Sequence, residues 1–218
     1  MILGILLTLI VYLIMNKLKE KIGKDYLNPL FLSIITIILI LMFTKIDYES
    51  YKEGADVINL FLTPATIALA IPLRREMKKL KKHMKAILVG VVVGVITSGA
   101  SIFLIKLVFN LEREHFMSFL PKSITTAIGI GLSEAIGGIP SITVFAIIMT
   151  GIFGSIISNG IFKLFKIKNP IAQGLALGSA SHAIGTSKAA EMGDEVAAAS
   201  SLAMVVSGIV TVIFGMFL

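Results

Sequence analysis

Residues 178–195 read GSASHAIGTSKAAEMGDE and lie between two long apolar runs, Pro140–Phe162 and Val196–Leu218. Hydroxyl, ammonium and imidazole groups are costly inside a bilayer, so they face a bundle interior or a functional site when they occur there. The stretch therefore predicts a broken helix with a polar face, enclosed by membrane helices.

The composition is that of a membrane protein. Hydrophobic residues make up 56% of the 218 residues and charged residues 15%, against about 45–50% and about 25% in globular domains. Two further runs, Asn28–Thr44 and Ala86–Phe109, have lengths typical of membrane helices. Met1–Asn16 is a shorter apolar run without a basic start or a cleavage site, so we expect a retained first helix rather than a signal peptide.

Several function classes are excluded. The chain has no cysteine, which rules out disulfides, iron–sulfur clusters and thiol catalysis. It contains no G-x-S-x-G, H-E-x-x-H or Walker pattern. His83 and His115 fall in loops predicted on opposite sides of the membrane. We therefore expect no enzyme, no metal site and no cofactor, and we read the net charge of +7 as a topology signal rather than a nucleic-acid footprint.

Three segments have nearly spanning length but carry proline or several glycines, with hydroxyl groups where neighbouring runs carry Ile, Leu and Val. They are Val57–Leu73, Phe116–Gly138 and Pro170–Ala190. Each predicts a discontinuous helix.

The charges of the loops predict the topology. Predicted cytoplasmic loops are Lys17–Lys24, Arg74–Lys85 and Lys163–Lys168; predicted external loops are Lys45–Asp56, Asn110–His115 and Glu191–Glu195. These sides agree only if Phe116–Gly138 enters the membrane and returns to the same side as a re-entrant hairpin, through its glycines and Pro121. Pro170–Ala190 then crosses completely, the N-terminus lies outside and the C-terminus lies in the cytoplasm.

The expected fold is an all-α polytopic membrane protein, a single membrane domain with about seven transmembrane helices and one re-entrant hairpin. Span, broken span and span occur in residues 28–109 and again, in the opposite sense, in residues 140–218. Inverted repeats with interrupted helices point to a secondary transporter with a site near the membrane midplane. The alternative is the ordinary alternation of long and short segments in a polytopic protein.

The stretch 178–195 offers one half of a candidate site. Ser179, His182 and Thr186 share a face if the helix is continuous, and His182 titrates in a range that suits proton coupling. Ser181 and the backbone near Gly185 add polar groups. The alternative is packing between helices, in which Gly174-xxx-Gly178 and the hydroxyls hold neighbours together. Lys188, near the segment end, is expected to reach the interface.

The segment after Pro121 offers the other half. Lys122, Ser123, Thr125 and Thr126 follow this proline at an expected helix start, where free N–H groups favour a carboxylate. A hairpin is expected to bring Lys122 and Glu134 together at its mouth. The alternative is an anchoring lysine with an N-cap serine.

The first repeat contains a helix break and a strongly basic run. Thr63-Pro64-Ala65-Thr66 breaks a helix, because Pro64 lacks an N–H and leaves a carbonyl unpaired. Arg74–Lys85 holds seven of the 20 Lys and Arg residues. This run is a candidate site for anionic lipid or a solvated helix that sets the topology.

The chain resembles the LrgB/CidB family over essentially its whole length. The resemblance is carried by LTPATIALAIPLRREMKKLKKHMKAIL (62–88), LPKSITTAIGIGLSEAIGGIPSITVFAIIMTG (120–151) and ASHAIGTSKAAEMGDEVAAASSLAM (180–204). Ala127 and Ala183 stand where the family usually has Pro and Gly.

The resemblance implies two functions. Bacterial members are described as antiholin-like or holin-like proteins that modulate murein hydrolase activity and lysis with a small LrgA/CidA-like membrane partner. Plastid relatives look like glycolate/glycerate transporters, and some bacterial systems are linked to pyruvate uptake.

We expect a plasma-membrane transporter of small monocarboxylates, with a holin-like or antiholin-like regulator of murein hydrolases as the alternative. The expected partners are a small organic anion, an LrgA/CidA-like protein, anionic lipid at Arg74–Lys85 and, as a further candidate, a second copy of the chain. Predicted substrate-binding residues are Thr63, Pro64, Thr66, Lys122, Ser123, Thr125, Thr126, Ser181, His182, Gly185 and Thr186; candidates for proton coupling are His182 and Glu134.

Overall fold

A computed structural model describes residues 2–23, 27–61, 64, 67, 68 and 70–217. Within these residues the chain forms ten α-helices and one short 3₁₀ helix, without a β-strand. The all-α class predicted from the sequence is therefore confirmed. The chain divides into two compact units, Met1–Ala68 and Leu69–Leu218.

The first unit contains three helices: α1 (Ile2–Ile22), α2 (Pro29–Thr44) and α3 (Tyr48–Asn59). Helix α1 packs against both of the others. Gly4 allows the close approach of α3, because a Cβ on Gly4 would overlap the Tyr51 carbonyl oxygen. The Thr8 and Tyr51 hydroxyls lie 3.0 Å apart in the same contact.

Helix α3 corrects the prediction for the middle of this unit. Lys45–Asp56 was expected to be an external loop, but most of it belongs to α3. The Asp47 carboxylate caps this helix by accepting from the backbone N–H groups of Glu49 and Ser50. Because α3 ends at Asn59 and Leu60 and Phe61 form a turn, Val57–Leu73 is not one continuous helix.

The second unit contains the other elements. They are α4 (Ala70–Lys82), α5 (Met84–Phe109), α6 (Arg113–Phe119), a 3₁₀ turn (Leu120–Ser123), α7 (Thr126–Ala135), α8 (Pro140–Leu164), α9 (Pro170–Met192) and α10 (Asp194–Gly215). Helices α1, α5, α8 and α10 are long and apolar enough to cross a membrane. The described residues thus support four of the predicted spans.

The chain reverses direction between Phe116 and Gly138. The backbone N–H of Ile139, which follows the segment, donates to the Ser118 hydroxyl at 2.7 Å, and Thr143 donates to the Ser118 carbonyl at 2.9 Å. Gly137 has φ +80°, and a Cβ on Gly138 would lie 2.9 Å from the Ser118 nitrogen. The two glycines therefore permit the tight turn between α7 and α8, which lies beside the start of the segment.

Helix α9 reverses as well, and its apex is His182. The His182 backbone is non-helical (φ 42°, ψ −132°). Beyond it, Gly185 packs against the carbonyl of Leu177, although eight residues of continuous helix would separate these positions by about 12 Å. The first limb of α9 (residues 170–181) and the second limb (residues 183–192) are therefore antiparallel neighbours.

This reversal corrects the predicted sides of two loops. Arg74–Lys85 was expected in the cytoplasm and Glu191–Glu195 outside, but Arg75 lies 3.9 Å from Asp194. The prediction failed because it counted Pro170–Ala190 as a complete crossing. The predicted cytoplasmic C-terminus depended on that same crossing.

We name the end of the second unit that carries these charges the ion-pair end. Lys79 bridges Glu76 at 2.8 Å and Glu195 at 3.6 Å there. The hydrogen bond with Glu76, together with the nearby Glu195 carboxylate, raises the pKa of Lys79 above its ordinary value. Below these charges, Leu80 is fully buried against Val91 of α5 and the alanines of α10, which fixes α4 to the bundle.

Candidate functional site

An open cavity of about 530 Å³ lies in the second unit, where the two reversed segments approach α5 and α8. We call it the central cavity. Its polar lining consists of Thr97, Ser98, Ser101, Lys122, Ser123, Thr150, Ser179 and Ser181. Gly94, Phe153, Gly154, Ile157 and Ala180 complete the wall. The lining thus combines several hydroxyl groups with a single ammonium group.

Lys122 reaches this cavity from the 3₁₀ turn. Its Nζ donates to the Ser98 hydroxyl at 3.0 Å and to the Ser123 hydroxyl at 3.3 Å, and these two hydroxyls lie 3.0 Å apart. Among the described residues, no carboxylate forms an ion pair with this half-buried lysine. An ammonium group held by hydroxyls alone can accept an anion as its charge partner.

Two glycines of α8 make room for the apex of α9. A Cβ on Gly154 would overlap the Ser181 hydroxyl, and a Cβ on Gly151 would lie 2.7 Å from the His182 ring. Hydrogen at both positions lets Ser181 reach the cavity wall while His182 packs directly on the α8 backbone. The Gly-xx-Gly spacing in α8 therefore determines how deeply the apex sits.

His182 lies behind the cavity wall and is not among the residues that line it. The residue is 2% exposed, and Nε2 of its ring lies 2.9 Å from the carbonyl oxygen of Ile147. Its positive φ is rare for a residue with a side chain, and such conformations cost about 1–3 kcal/mol unless the surroundings hold them. The ring contact and this hydrogen bond hold the reversal in place.

The other predicted residues of the second limb lie in the protein interior. Thr186 is fully buried and its hydroxyl contacts the His182 carbonyl at 2.8 Å and the Ser200 hydroxyl at 2.9 Å. Gly178 also packs on Ser200. Ser179, His182 and Thr186 therefore do not share one helix face, because the chain reverses between the first and the last of them.

The segment after Lys122 corrects the expected pairing with Glu134. Lys122 bonds to Ser98 in the middle of α5, whereas Glu134 is exposed near the end of α7. Thr125 and Thr126 begin α7 with intermediate exposure and stand outside the lining of the cavity. Lys122 and Glu134, which were expected to meet at the mouth of a hairpin, thus lie at different levels of the reversed segment.

The predicted break Thr63-Pro64-Ala65-Thr66 belongs to the first unit. Pro64 is exposed. The predicted binding residues Thr63 and Thr66 lie outside the described residues. Lys122, Ser123 and Ser181 are accordingly the predicted residues that the structure brings together around the central cavity.

Four polar lining residues were not predicted: Thr97, Ser98, Ser101 and Thr150. Three of them belong to the short sequence TSGAS (97–101), which interrupts the apolar run of α5. Small hydroxyl residues inside a spanning helix carry the same signal as the stretch 178–195. That signal was available in the sequence but was hidden by the high hydropathy of the surrounding run.

Comparison with known proteins assigns the chain to a family. A family profile described as "LrgB-like family" matches residues 8–218. "Antiholin-like protein LrgB" of Bacillus cereus (strain B4264) is 42% identical over 211 residues, which cover 96% of this chain and 92% of the relative. The protein of the same name from Bacillus anthracis (strain CDC 684 / NRRL 3495) shows the same identity and coverage. No solved structure matches the chain. The chain therefore belongs to the LrgB-like family.

Proposed function

We propose that this chain is an antiholin-like protein of the plasma membrane, a regulator of murein hydrolase activity and lysis. The support is its membership of the LrgB-like family and the name of relatives that are 42% identical to it, "Antiholin-like protein LrgB". The residues themselves favoured transport, but the name of the relatives supports lysis regulation more strongly. Candidate spans in the described residues agree with a multi-pass membrane protein.

Transport of a small monocarboxylate is the second proposed function, and one observation favours it. Lys122 lines an open cavity together with several hydroxyl groups and lacks a carboxylate partner among the described residues. Cations inside a membrane protein usually pair with another group or mark a substrate path. A bound carboxylate would supply that pairing, with hydroxyls available for a hydroxyl or keto group of the substrate.

The two reversed segments fit this second function as discontinuous membrane helices. Under this proposal, 116–138 enters from the end opposite the ion-pair end and α9 enters from the ion-pair end, so that their apices meet at the central cavity. Each segment then places a helix end on the cavity wall, at Ser123 and at Ser181, and the next helix starts a few residues further on, outside the lining. Helix starts favour anionic groups, as in transporters with broken helices.

The proposed inverted repeat has shorter halves than residues 28–109 and 140–218. Helix α5 is followed by the reversed segment 116–138, and α8 is followed by the reversed helix α9. The direct contacts of Ser98 with Ser123 and of Gly154 with Ser181 give both pairs a similar arrangement. Two such pairs in opposite orientation support a midplane site between them.

An uptake experiment separates the two functions. The full-length chain is reconstituted in proteoliposomes, alone and with an LrgA/CidA-like protein, and labelled pyruvate, glycolate and lactate are supplied with and without a pH gradient. Saturable uptake that the Lys122→Met variant abolishes supports transport. Lysis regulation predicts that expression of the chain changes murein hydrolase activity in cells whether or not Lys122 is present.

Anionic lipid, an LrgA/CidA-like protein and a second copy of the chain are the other proposed partners. Arg75 and Lys79 face acidic residues of α10, while Lys81, Lys82 and Lys85 are exposed. These exposed lysines keep the Arg74–Lys85 run available for anionic lipid. Co-purification of tagged chain with an LrgA/CidA-like protein, and with an untagged copy of itself, tests the two protein partners.

A further inference from the structure

A second cavity, of about 500 Å³, lies at the junction of α8 and α9, away from the central cavity. We call it the lysine pocket. Lys163, Lys166 and Lys168 line it, together with the side chains of Asn159, Phe162, Ile167, Gln173 and Met192. Three ammonium groups and two carboxamides thus surround one concave surface.

The three lysines have no ion-pair partner within the part of the chain that the structure describes. Among the described residues none of them forms an ion pair, and no Asp or Glu lines the pocket. The nearest carboxylates in sequence face other cations: Glu191 contacts Lys188 at 2.9 Å, Asp194 contacts Arg75 at 3.9 Å and Glu195 contacts Lys79 at 3.6 Å. The described residues therefore leave the positive charge of the pocket without a neutralising carboxylate.

The loop that carries the lysines is preformed. The Ile167 backbone N–H donates to the Phe162 carbonyl at 2.8 Å, and Lys166 adopts φ +55°, as in the Schellman ending of a helix. The Gln173 side chain donates to the Ile167 carbonyl at 2.8 Å. A ligand that meets the three ammonium groups thus finds a backbone that is already ordered.

We propose that the lysine pocket binds a phosphate-bearing anion, as the phosphodiester of an anionic phospholipid or as free phosphate. Lysine is a common phosphate ligand because its ammonium acts as a compact charge with three donors. The apolar lining residues Phe162, Ile167 and Met192 can contact the apolar part of a lipid next to its phosphate. Helix α8 is long and apolar enough to span a membrane, so its end stands at the level where headgroups lie.

The lysine pocket lies where α8 meets both limbs of α9. Asn159 and Phe162 belong to α8, Gln173 belongs to the first limb of α9 and Met192 ends the second limb. An anion in the pocket therefore joins α8 to both limbs of the reversed helix whose apex carries Ser181. This site does not depend on either proposed function.

Binding by the full-length chain in detergent tests the proposal. Inorganic phosphate is measured by equilibrium dialysis with radiolabel, and dioctanoyl phosphatidylglycerol is measured by native mass spectrometry. The test variant is Lys163→Gln/Lys166→Asn/Lys168→Gln, with Asn at 166 because it tolerates positive φ. The control, Lys17→Gln/Lys19→Gln/Lys21→Gln, removes the same charge from the end of α1. Circular dichroism and gel filtration check folding.

We expect the wild type to bind at least one probe and the test variant to bind it about a hundredfold more weakly, with about fivefold for Lys168→Gln alone. We expect the control to stay within about twofold of wild type. Binding of phosphatidylglycerol alone identifies a lipid headgroup as the source, and binding of inorganic phosphate shows that the free anion suffices. The proposal is overturned if the wild type binds neither probe, or if the test variant and Lys168→Gln bind as tightly as the control.

Discussion

Gly185 lies directly against the carbonyl group of Leu177, and the two residues belong to opposite limbs of a helix that turns back at His182. The reversal places the start and the end of α9 at the same end of the bundle. It also brings Ser181 to the wall of a cavity that holds Lys122. The arrangement of the candidate site thus follows from one turn of the backbone.

The reversal predicts that both ends of α9 are reached from the same side of the membrane. Because the chain has no cysteine, a single introduced cysteine is the only target for an impermeant maleimide. We expect Phe165→Cys and Ala190→Cys to react from one side and Glu112→Cys to react from the other. Labelling of positions 165 and 190 from opposite sides contradicts the reversal.

The glycine contacts of α8 predict a contrast between two matched substitutions. Gly154→Ala places a methyl group on the Ser181 hydroxyl, whereas nothing lies within 4 Å of the Cβ position at Gly160. We expect Gly154→Ala to destabilise the protein by about 1–3 kcal/mol. We expect Gly160→Ala to be neutral or to stabilise by up to about 1 kcal/mol. Thermal unfolding in detergent measures both, and equal melting temperatures speak against the close contact.

The turn at His182 predicts which replacements are tolerated. Asparagine accepts positive φ more readily than other residues with a Cβ and carries an amide donor for the Ile147 carbonyl, whereas valine is β-branched and has no donor. We expect His182→Asn to keep its melting temperature within a few degrees of wild type and His182→Val to lose more.

Uptake by proteoliposomes, measured with and without a pH gradient, tests whether His182 carries a proton during transport. Loss of the dependence on the gradient in a stable His182→Asn variant supports proton coupling by His182, and unchanged dependence excludes it.

The sequence was sufficient for the long helices and for one of the turns. Runs of apolar residues predict α5, α8 and α10, since few other structures accommodate such stretches in a short chain. Gly137-Gly138-Ile139-Pro140 predicts the turn before α8, because glycine permits the left-handed backbone and proline begins the next helix. Both features depend on local chemistry that is visible in the residues themselves.

The reversal of α9 could not be read from the sequence in the same way. Gly185 looked like the break because glycine is the usual residue at positive φ, yet the turn occurs at His182, where the ring packs on Gly151 and Nε2 meets the Ile147 carbonyl. Those stabilising contacts come from residues more than thirty positions earlier. Periodicity reports a helix face but contains no information about such distant partners.

Ser98 holds the Lys122 ammonium group in the cavity, so its hydroxyl should matter for anion binding. Its hydroxyl accepts from Lys122 and contacts Ser123, and a hydrogen bond to a charged group contributes about 1.5–3 kcal/mol. We expect Ser98→Ala to weaken anion binding about tenfold, and Ser98→Thr to keep most of the affinity because the hydroxyl remains. Ser187→Ala is the matched control, since Ser187 is exposed and bonds within its own limb. Equal affinities for Ser98→Ala and Ser187→Ala contradict a role for Ser98.

The central claim about the site, on which the second proposed function rests, is that the cavity around Lys122 binds a small monocarboxylate. Calorimetric titration of the purified full-length chain with pyruvate, glycolate and lactate tests it directly, with Lys188→Met as the control because Lys188 pairs with Glu191 instead of lining the cavity. We expect wild type and Lys188→Met to bind at least one of these anions, and Lys122→Met to bind it about tenfold to a hundredfold more weakly. Absence of binding to the wild type, or equal binding by a folded Lys122→Met variant, contradicts the claim.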